Sequence, residues 1–363
     1  MKQFLFLILS IIVFCNMSVK AQVTIGSGKE PVRGSLLDLE QDGTFTGNAN
    51  SEKGLGLPRV ALQSRTALYP MLSVADTISK ALNADHTGLV VYNINENLCK
   101  NLFKGLHVWD GNEWDAIGNG FPAEVDVLVD KRDPANPITY HIGKFGDNWW
   151  MLENLRATQY DTGIVSPPTL KGPWAMRTTT PYWCYPALNP NPYGTGLIDG
   201  ADPYYFNQMK EMGFLYNWFA ATGTIDISSS VEGVKYQGIC PNGWHIPNVV
   251  EQAALIASVT NNPCLHGNSA STADYVRNMK SPTKVPLSAT ATQGASRSYA
   301  EGGFNALLAG YASGNVGSYG ATGYFWSSIA VNGFANYFAL NVIGMAQGTN
   351  NTFNYFSVRC VKN

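Results

Sequence analysis

Hydrophobic and polar positions alternate over short distances along most of this chain, and one segment departs from that pattern. Behind Lys2 lies an apolar run from Phe4 to Phe14, followed by Met17-Ser18-Val19-Lys20-Ala21 and then Gln22. That order is a secretory signal peptide, with Val19 and Ala21 where signal peptidase needs small side chains. It predicts a signal over 1–21, cleaved before Gln22. The run is far short of the ~20 residues a spanning helix requires, and no second stretch approaches that length. An uncleaved N-terminal anchor and a lipid-modified Cys15 are the alternatives. Against the second, bulky Phe14 stands where lipoprotein processing wants a small residue.

From Val23 to about Gly118 the pattern predicts short strands separated by turns, with helical periodicity only around Ser64 to Leu82. Gly88-Leu89-Val90-Val91-Tyr92-Asn93 reads as a compact strand, and Gly105-Leu106-His107-Val108-Trp109 as another. Asp110-Gly111-Asn112 then turns the chain toward Glu113-Trp114, because glycine accepts the positive φ of a tight hairpin. Trp109 and Trp114 flank that turn and are placed to pack across the ribbon. Gly118-Asn119-Gly120-Phe121-Pro122 breaks any regular element, which sets a mostly-β domain over 22–118, a linker over 119–124 and a second domain over 125–363.

In the second domain, Asn148 to Thr158 reads as a turn feeding a buried aromatic strand, and Gly213 to Ala221 as a second aromatic element. Ile239-Cys240-Pro241-Asn242-Gly243-Trp244-His245-Ile246-Pro247 leads to a helix running through Ile256. Asn248 is a good N-cap for it, with Glu251 where a capping box places its acid.

At 363 residues the chain exceeds one ordinary core. Charged residues are 14% of it against a typical ~25%, aromatics reach 12%, and there are 36 glycines, which favours strands, turns and ordered loops over charged helices. The net charge is −2 with no basic block, so the footprint of a nucleic-acid binder is missing. Five cysteines remain beyond the signal: Cys99, Cys184, Cys240, Cys264 and Cys360. Export permits disulfides, and an odd count leaves at least one thiol outside an internal bridge. No C-x-x-C pair occurs and the five histidines are scattered singly, so neither a metal site nor a cofactor is expected.

Val23-Thr24-Ile25-Gly26, Leu37-Asp38-Leu39, Lys53 to Arg59, Thr87 to Asn93 and Trp109 to Trp114 together resemble a module of exported Bacteroidetes proteins and phage tail fibres. That resemblance implies a stalk or assembly piece and self-association. Further on, Asn148 to Thr158, Gly213 to Ala221, Ile239 to Glu251, Gly303 to Tyr311, Phe325 to Ser328 and Ser357 to Lys362 are similar, in order, to the Fibrobacter succinogenes major paralogous domain. Gln252 and Leu308 depart from that family's frequent Trp and Pro. The family is similar in pattern to C-type-lectin-like and formylglycine-generating-enzyme folds. It implies an α+β protein with a lectin-like C-terminal domain behind a smaller, mostly-β N-terminal one. Equivalent positions imply a Cys240–Cys360 bridge, whose long loop is worth ~4 to 5 kcal/mol in the chain-entropy model. Cys264 is then the nearest candidate partner of Cys184, and Cys99 is left unbridged.

No E-P-N, Q-P-D or W-N-D element supplies calcium ligands in the second domain, and no G-x-S-x-G, P-loop or metal-ligand spacing occurs. A reactive-cysteine enzyme is disfavoured because Cys240 and Cys360 are better explained as a bridge. What remains is aromatic chemistry, since sugars and partner side chains stack on Trp and Tyr faces. The long loop from Trp174 to Tyr205 offers Trp174, Tyr182, Trp183, Tyr185 and Tyr193 as candidate ligand-binding residues. The competing expectation is that they fill the loop's own core; Trp149, Trp150, Trp218, Trp244 and Trp326, inside motifs, are expected to be core. The sequence therefore points to a secreted or cell-surface binding or adhesion module without catalysis. It would present a loop-rich face to a glycan or surface protein and form homo-oligomers through its N-terminal domain. An extracellular polysaccharide-active enzyme and a purely structural envelope or fibre component are the alternatives.

Overall fold

A computed structural model describes residues 23–32, 35–46, 49–118, 123–161, 168–170, 179–188, 201–223, 230–231, 233–289, 294–342 and 344–363. The signal over 1–21, linker positions 119–122, Trp174 and Tyr193 lie outside them. The chain divides into two compact units, Met1–Arg59 and Val60–Asn363.

In the first unit, strand β1 (Val23–Ile25) pairs in parallel with β2 (Leu37–Leu39), Val23 opposite Leu37 and Ile25 opposite Leu39. The segment between them is held by Asp38, whose carboxylate accepts the Val32 N–H at 2.8 Å, and by the Lys29–Glu40 ion pair. None of the described side chains of this unit is buried. Its Val23, Ile25, Val32, Leu36, Leu37, Leu39 and Leu55 are 38% to 75% exposed.

The second unit opens with a four-stranded sheet, β3 (Arg59–Val60), β4 (Val90–Asn93), β5 (Gly105–Trp109) and β6 (Trp114–Ala116), in that order. The expected hairpin is there: Trp109 pairs with Trp114, their rings 5.4 Å apart edge to face. Asp110 tightens its turn by accepting the N–H groups of Asn112 and Glu113, both at 2.7 Å. The helical periodicity of 64–82 yields only Val74–Ser79, capped by Ser73 and stopped where Lys80 turns left-handed at φ 56°.

This small layer is fastened to the rest of the unit. Cys99 is bridged to Cys264 with Cα atoms 4.8 Å apart, which corrects the expectation that Cys264 would serve Cys184 and that Cys99 would stay unbridged. Cys184 is buried in strand surroundings and lies in neither bridge. Beside Cys99, the fully buried Arg297 guanidinium donates to the Leu98 carbonyl at 2.5 Å, the Asn101 side chain at 2.6 Å and the Cys264 carbonyl at 2.9 Å. The expectation erred because a turn rich in polar residues around Asn97 carries no hydrophobic signal that it docks anywhere.

The remaining strands are β7 (Val125–Asp130), β8 (Ile138–Phe145), β9 (Asn148–Met151), β10 (Thr169–Leu170), β11 (Tyr182–Cys184), β12 (Leu215–Asn217) and β13 (Trp244–His245). They are followed by β14 (Tyr311–Ala312), β15 (Val316–Gly317), β16 (Thr322–Val331), β17 (Phe334–Asn341), β18 (Met345–Asn351), β19 (Tyr355–Phe356) and β20 (Val361–Lys362). Three sheets result, ordered β13-β20-β9-β8-β7, β10-β11-β12-β19-β14-β15 and β16-β17-β18. The fold is thus α+β, with one long helix among the described residues, Val249–Asn261.

That helix begins as predicted. The Asn248 side chain accepts the N–H groups of Val250 and Glu251, and Glu251 returns a carboxylate to the Asn248 N–H at 2.9 Å. It runs past Ile256 to Asn261 because Leu255 and Val259 bury against Phe145, Trp150, Phe304, Phe325 and Phe338. Gln252, where the family favours Trp, is buried with its amide donating to the Trp326 carbonyl at 3.2 Å. Cys240 and Cys360, the pair that the lectin-like order implies, are bridged with Cα atoms 5.9 Å apart. Trp150, Trp218, Trp244 and Trp326 are buried, and Trp149 packs against the same core. Next to that bridge, the buried Arg359 guanidinium donates to the Asn154 side chain at 2.8 Å and to the Asn305 carbonyl at 3.3 Å. It lies 4.3 Å over the Phe304 ring. A charge so deep is tolerated only because carbonyls and ring faces replace its water.

Candidate functional site

Strand β11 carries the central part of the predicted aromatic loop. It is pinned by Asn217, which caps the helix Trp218–Thr222 by accepting the Ala220 N–H at 2.9 Å. The same side chain accepts the Tyr182 N–H at 3.1 Å and donates to the Thr180 carbonyl at 2.8 Å. Trp183 faces inward: it is 7% exposed and stacks on Phe214 with centroids 4.3 Å apart. Tyr185 meets Trp183 edge-on at 5.1 Å and Phe214 at 5.3 Å, and burial pushes its phenol pKa up. Tyr182 and Tyr185 are both half-buried, so of the described candidates these two remain partly open to solvent, Tyr185 resting on Trp183 and Tyr182 packing on the separate cluster around Cys184 and Leu215.

A polar constellation lies on β8 and the segment after β9. The buried Glu153 accepts from His141 Nδ1 at 2.7 Å, from the His141 N–H at 2.8 Å and from Arg156 at 2.8 Å. Burial alone would raise the Glu153 pKa, but the His141 N–H and the Arg156 guanidinium outweigh it and hold the carboxyl below its ordinary range. His141 stacks on Tyr299 with centroids 5.2 Å apart. Such a pair can hold a proton, but among the described residues no hydroxyl or thiol is hydrogen-bonded to the His141 ring to receive or supply one. Arg156 also lines a pocket of about 240 Å³ with Asp130, Arg132, Asn136, Ile138 and Gln159. Arg132 in that lining is ion-paired to Asp130 at 2.8 Å and donates to the Gln159 and Ile239 carbonyls. No group of three or more His, Cys, Asp or Glu side chains that could hold a metal ion occurs among the described residues. No described helix is long and apolar enough to cross a membrane.

Sequence reasoning missed an exposed apolar tip. Val331 and Phe334 pair across the β16–β17 turn and are 62% and 51% exposed. Between them Asn332 and Gly333 take φ 52° and 82°, the backbone of a tight hairpin turn that glycine admits without strain. Ser230 ties a neighbouring segment to this tip through two hydrogen bonds with Ala330, which brings exposed Val231 alongside. The Asn-Gly dipeptide between two apolar residues was the available signal. Adjoining it, β18 presents Gln347 and Thr349 to solvent.

A family model described as the Fibrobacter succinogenes major domain matches residues 144–362. A second, described as a phage tail like trimerisation region, matches residues 24–130. No curated protein and no solved structure matches the chain.

Proposed function

The chain belongs to the Fibrobacter succinogenes major domain family, and from that premise we propose that it is an exported cell-surface or fibre component that self-associates through its N-terminal region. Its C-terminal domain then presents a loop-rich face to a glycan or a surface protein, without catalysis. One observation carries the reading. The segment matched to a trimerisation region takes in Ile25, Val32, Leu36, Leu37, Leu39 and Leu55, which are 38% to 75% exposed, and apolar surface of that kind marks an association site. Two disulfides suit an oxidising compartment outside the cytoplasm. The Cys240–Cys360 bridge beneath the capped helix favours a lectin-like scaffold, on which Tyr182, Tyr185 and the Val331–Phe334 tip are the surfaces for contact.

Sedimentation velocity of the exported chain tests the assembly part: a trimer mass is expected, and a monomer at every accessible concentration would sink it. A glycan array with the same protein tests the contact part, with signal expected to fall on replacing Tyr182 and Tyr185 by alanine. Release of reducing ends from a polysaccharide panel would replace the non-catalytic reading with an enzymatic one.

A further inference from the structure

The first strand of the C-terminal sheet has a face left partly open among the described residues. Strand β7 is the edge of its sheet, and Val125, Val127 and Val129 alternate along it at 39%, 51% and 44% exposure. Strand alternation puts all three on one face, opposite the half-buried Leu128 and the buried Asp130, and the register sets where the backbone groups of the strand point. The Lys144 N–H donates to the Glu124 carbonyl at 3.0 Å, which makes 124 and 144 a hydrogen-bonded pair. Val127 opposite His141 is therefore a non-bonded pair, and the odd-numbered residues of β7 turn their N–H and C=O groups away from β8. The Leu152 N–H confirms it by taking the His141 carbonyl from the other side, at 2.9 Å.

Two features decide what kind of contact this strand can make. Asp126 folds its carboxylate onto the outward N–H of Val127 at 2.8 Å, so a charge sits where an added strand would have to bond. That is how natural edge strands discourage pairing. The valine face, by contrast, is open: it starts beside Gly302, whose added Cβ would meet Val125 Cγ1 at 3.2 Å, and continues past His141 to Val129. The partner must therefore pack on side chains. Its identity follows from the extent of the trimerisation match, which runs to residue 130, the last residue of β7, and so takes in the whole stripe.

We infer that the Val125–Val127–Val129 face is a contact between copies of this chain, so that the C-terminal domain contributes a surface to the assembly in addition to the N-terminal region. This inference rests on the self-association proposed above and adds a surface to it. The test is sedimentation velocity over a dilution series of the exported chain, for the wild type, Val127→Glu and Val129→Glu, with Val250→Glu as an exposed valine elsewhere. Far-ultraviolet circular dichroism confirms that each is folded. The expected result is a trimer whose dissociation midpoint rises at least tenfold in Val127→Glu and in Val129→Glu and stays unchanged in Val250→Glu. A wild-type trimer that both β7 variants leave intact overturns the inference while sparing the N-terminal reading, as does equal weakening by Val250→Glu. A wild type that is monomeric throughout overturns both. Should one β7 variant fail to fold, the other decides.

Discussion

Acidification should weaken this fold through His266 by an amount that the structure sets. The imidazole is buried, stacked on Phe145 with centroids 4.3 Å apart and bonded to the Gly302 carbonyl at 3.3 Å. Burial lowers its pKa to about 4; the Gly302 carbonyl opposes this and the Arg297 charge adds to it. In the unfolded chain the ring titrates near 6.5, so between the two values the unfolded state binds a proton that the native state refuses. Stability from the neutral ring is thus complete above pH 6.5 and lost as the pH falls toward 4. At about 1.4 kcal/mol for each pH unit, the loss between pH 7 and pH 4 is about 3 kcal/mol. Urea unfolding at half-unit steps over that range measures it, with His266→Gln as the partner that cannot titrate. Glu153 and Glu251, both held below their ordinary range, lose stability as the pH falls through their own folded values, and they do so equally in the two proteins. The wild type should therefore fall more steeply than His266→Gln by about 3 kcal/mol in total. Parallel curves would refute the reasoning.

Replacing Cys99 and Cys264 together by serine frees a loop of 165 residues, which should cost about 3 to 5 kcal/mol, read as a lower denaturant midpoint under non-reducing conditions. Arg297→Met takes the guanidinium donor from the Asn101 side chain and the Cys264 carbonyl and leaves the Leu98 carbonyl with the Asn101 N–H alone; it should cost about 3 kcal/mol, seen in the same assay. Asn217→Ala removes a helix cap and both anchors of β11; about 2 kcal/mol of stability should go, and amide exchange of Tyr182 and its neighbours should accelerate before that of the helix Val249–Asn261.

The parts of this fold that were legible in the sequence are those governed by contacts close along the chain. The Asp110-Gly111 hairpin and the Asn248–Glu251 capping box each place donor and acceptor within three residues, so spacing alone determines them. The length of the helix beyond Ile256 was not legible, because Leu255 and Val259 are recruited by phenylalanines as far along the chain as Phe145 and Phe338. Cys240–Cys360 came from a family's order of motifs, whereas Cys99–Cys264 joins segments with no shared pattern and needed the topology. Among candidate contact residues, Trp183 and Tyr185 look alike in the sequence, and only the Phe214 ring decides which of them turns inward.

The two bridges also fix how the protein would carry mechanical load. Tension entering at Cys99 crosses directly to Cys264, runs back along the 24 residues to Cys240, and leaves through Cys360. The helix Val249–Asn261 is the longest regular element on that route, which enters the short helix Pro263–His266 only at Cys264 and Pro263, and every strand from β5 through β12 is shielded from the pull. While both bridges hold, the separation of residues 99 and 360 is capped at roughly 90 Å, the reach of about two dozen extended residues plus two cross-links. A surface or fibre protein wired in this way would yield by one helix and keep its contact loops in shape.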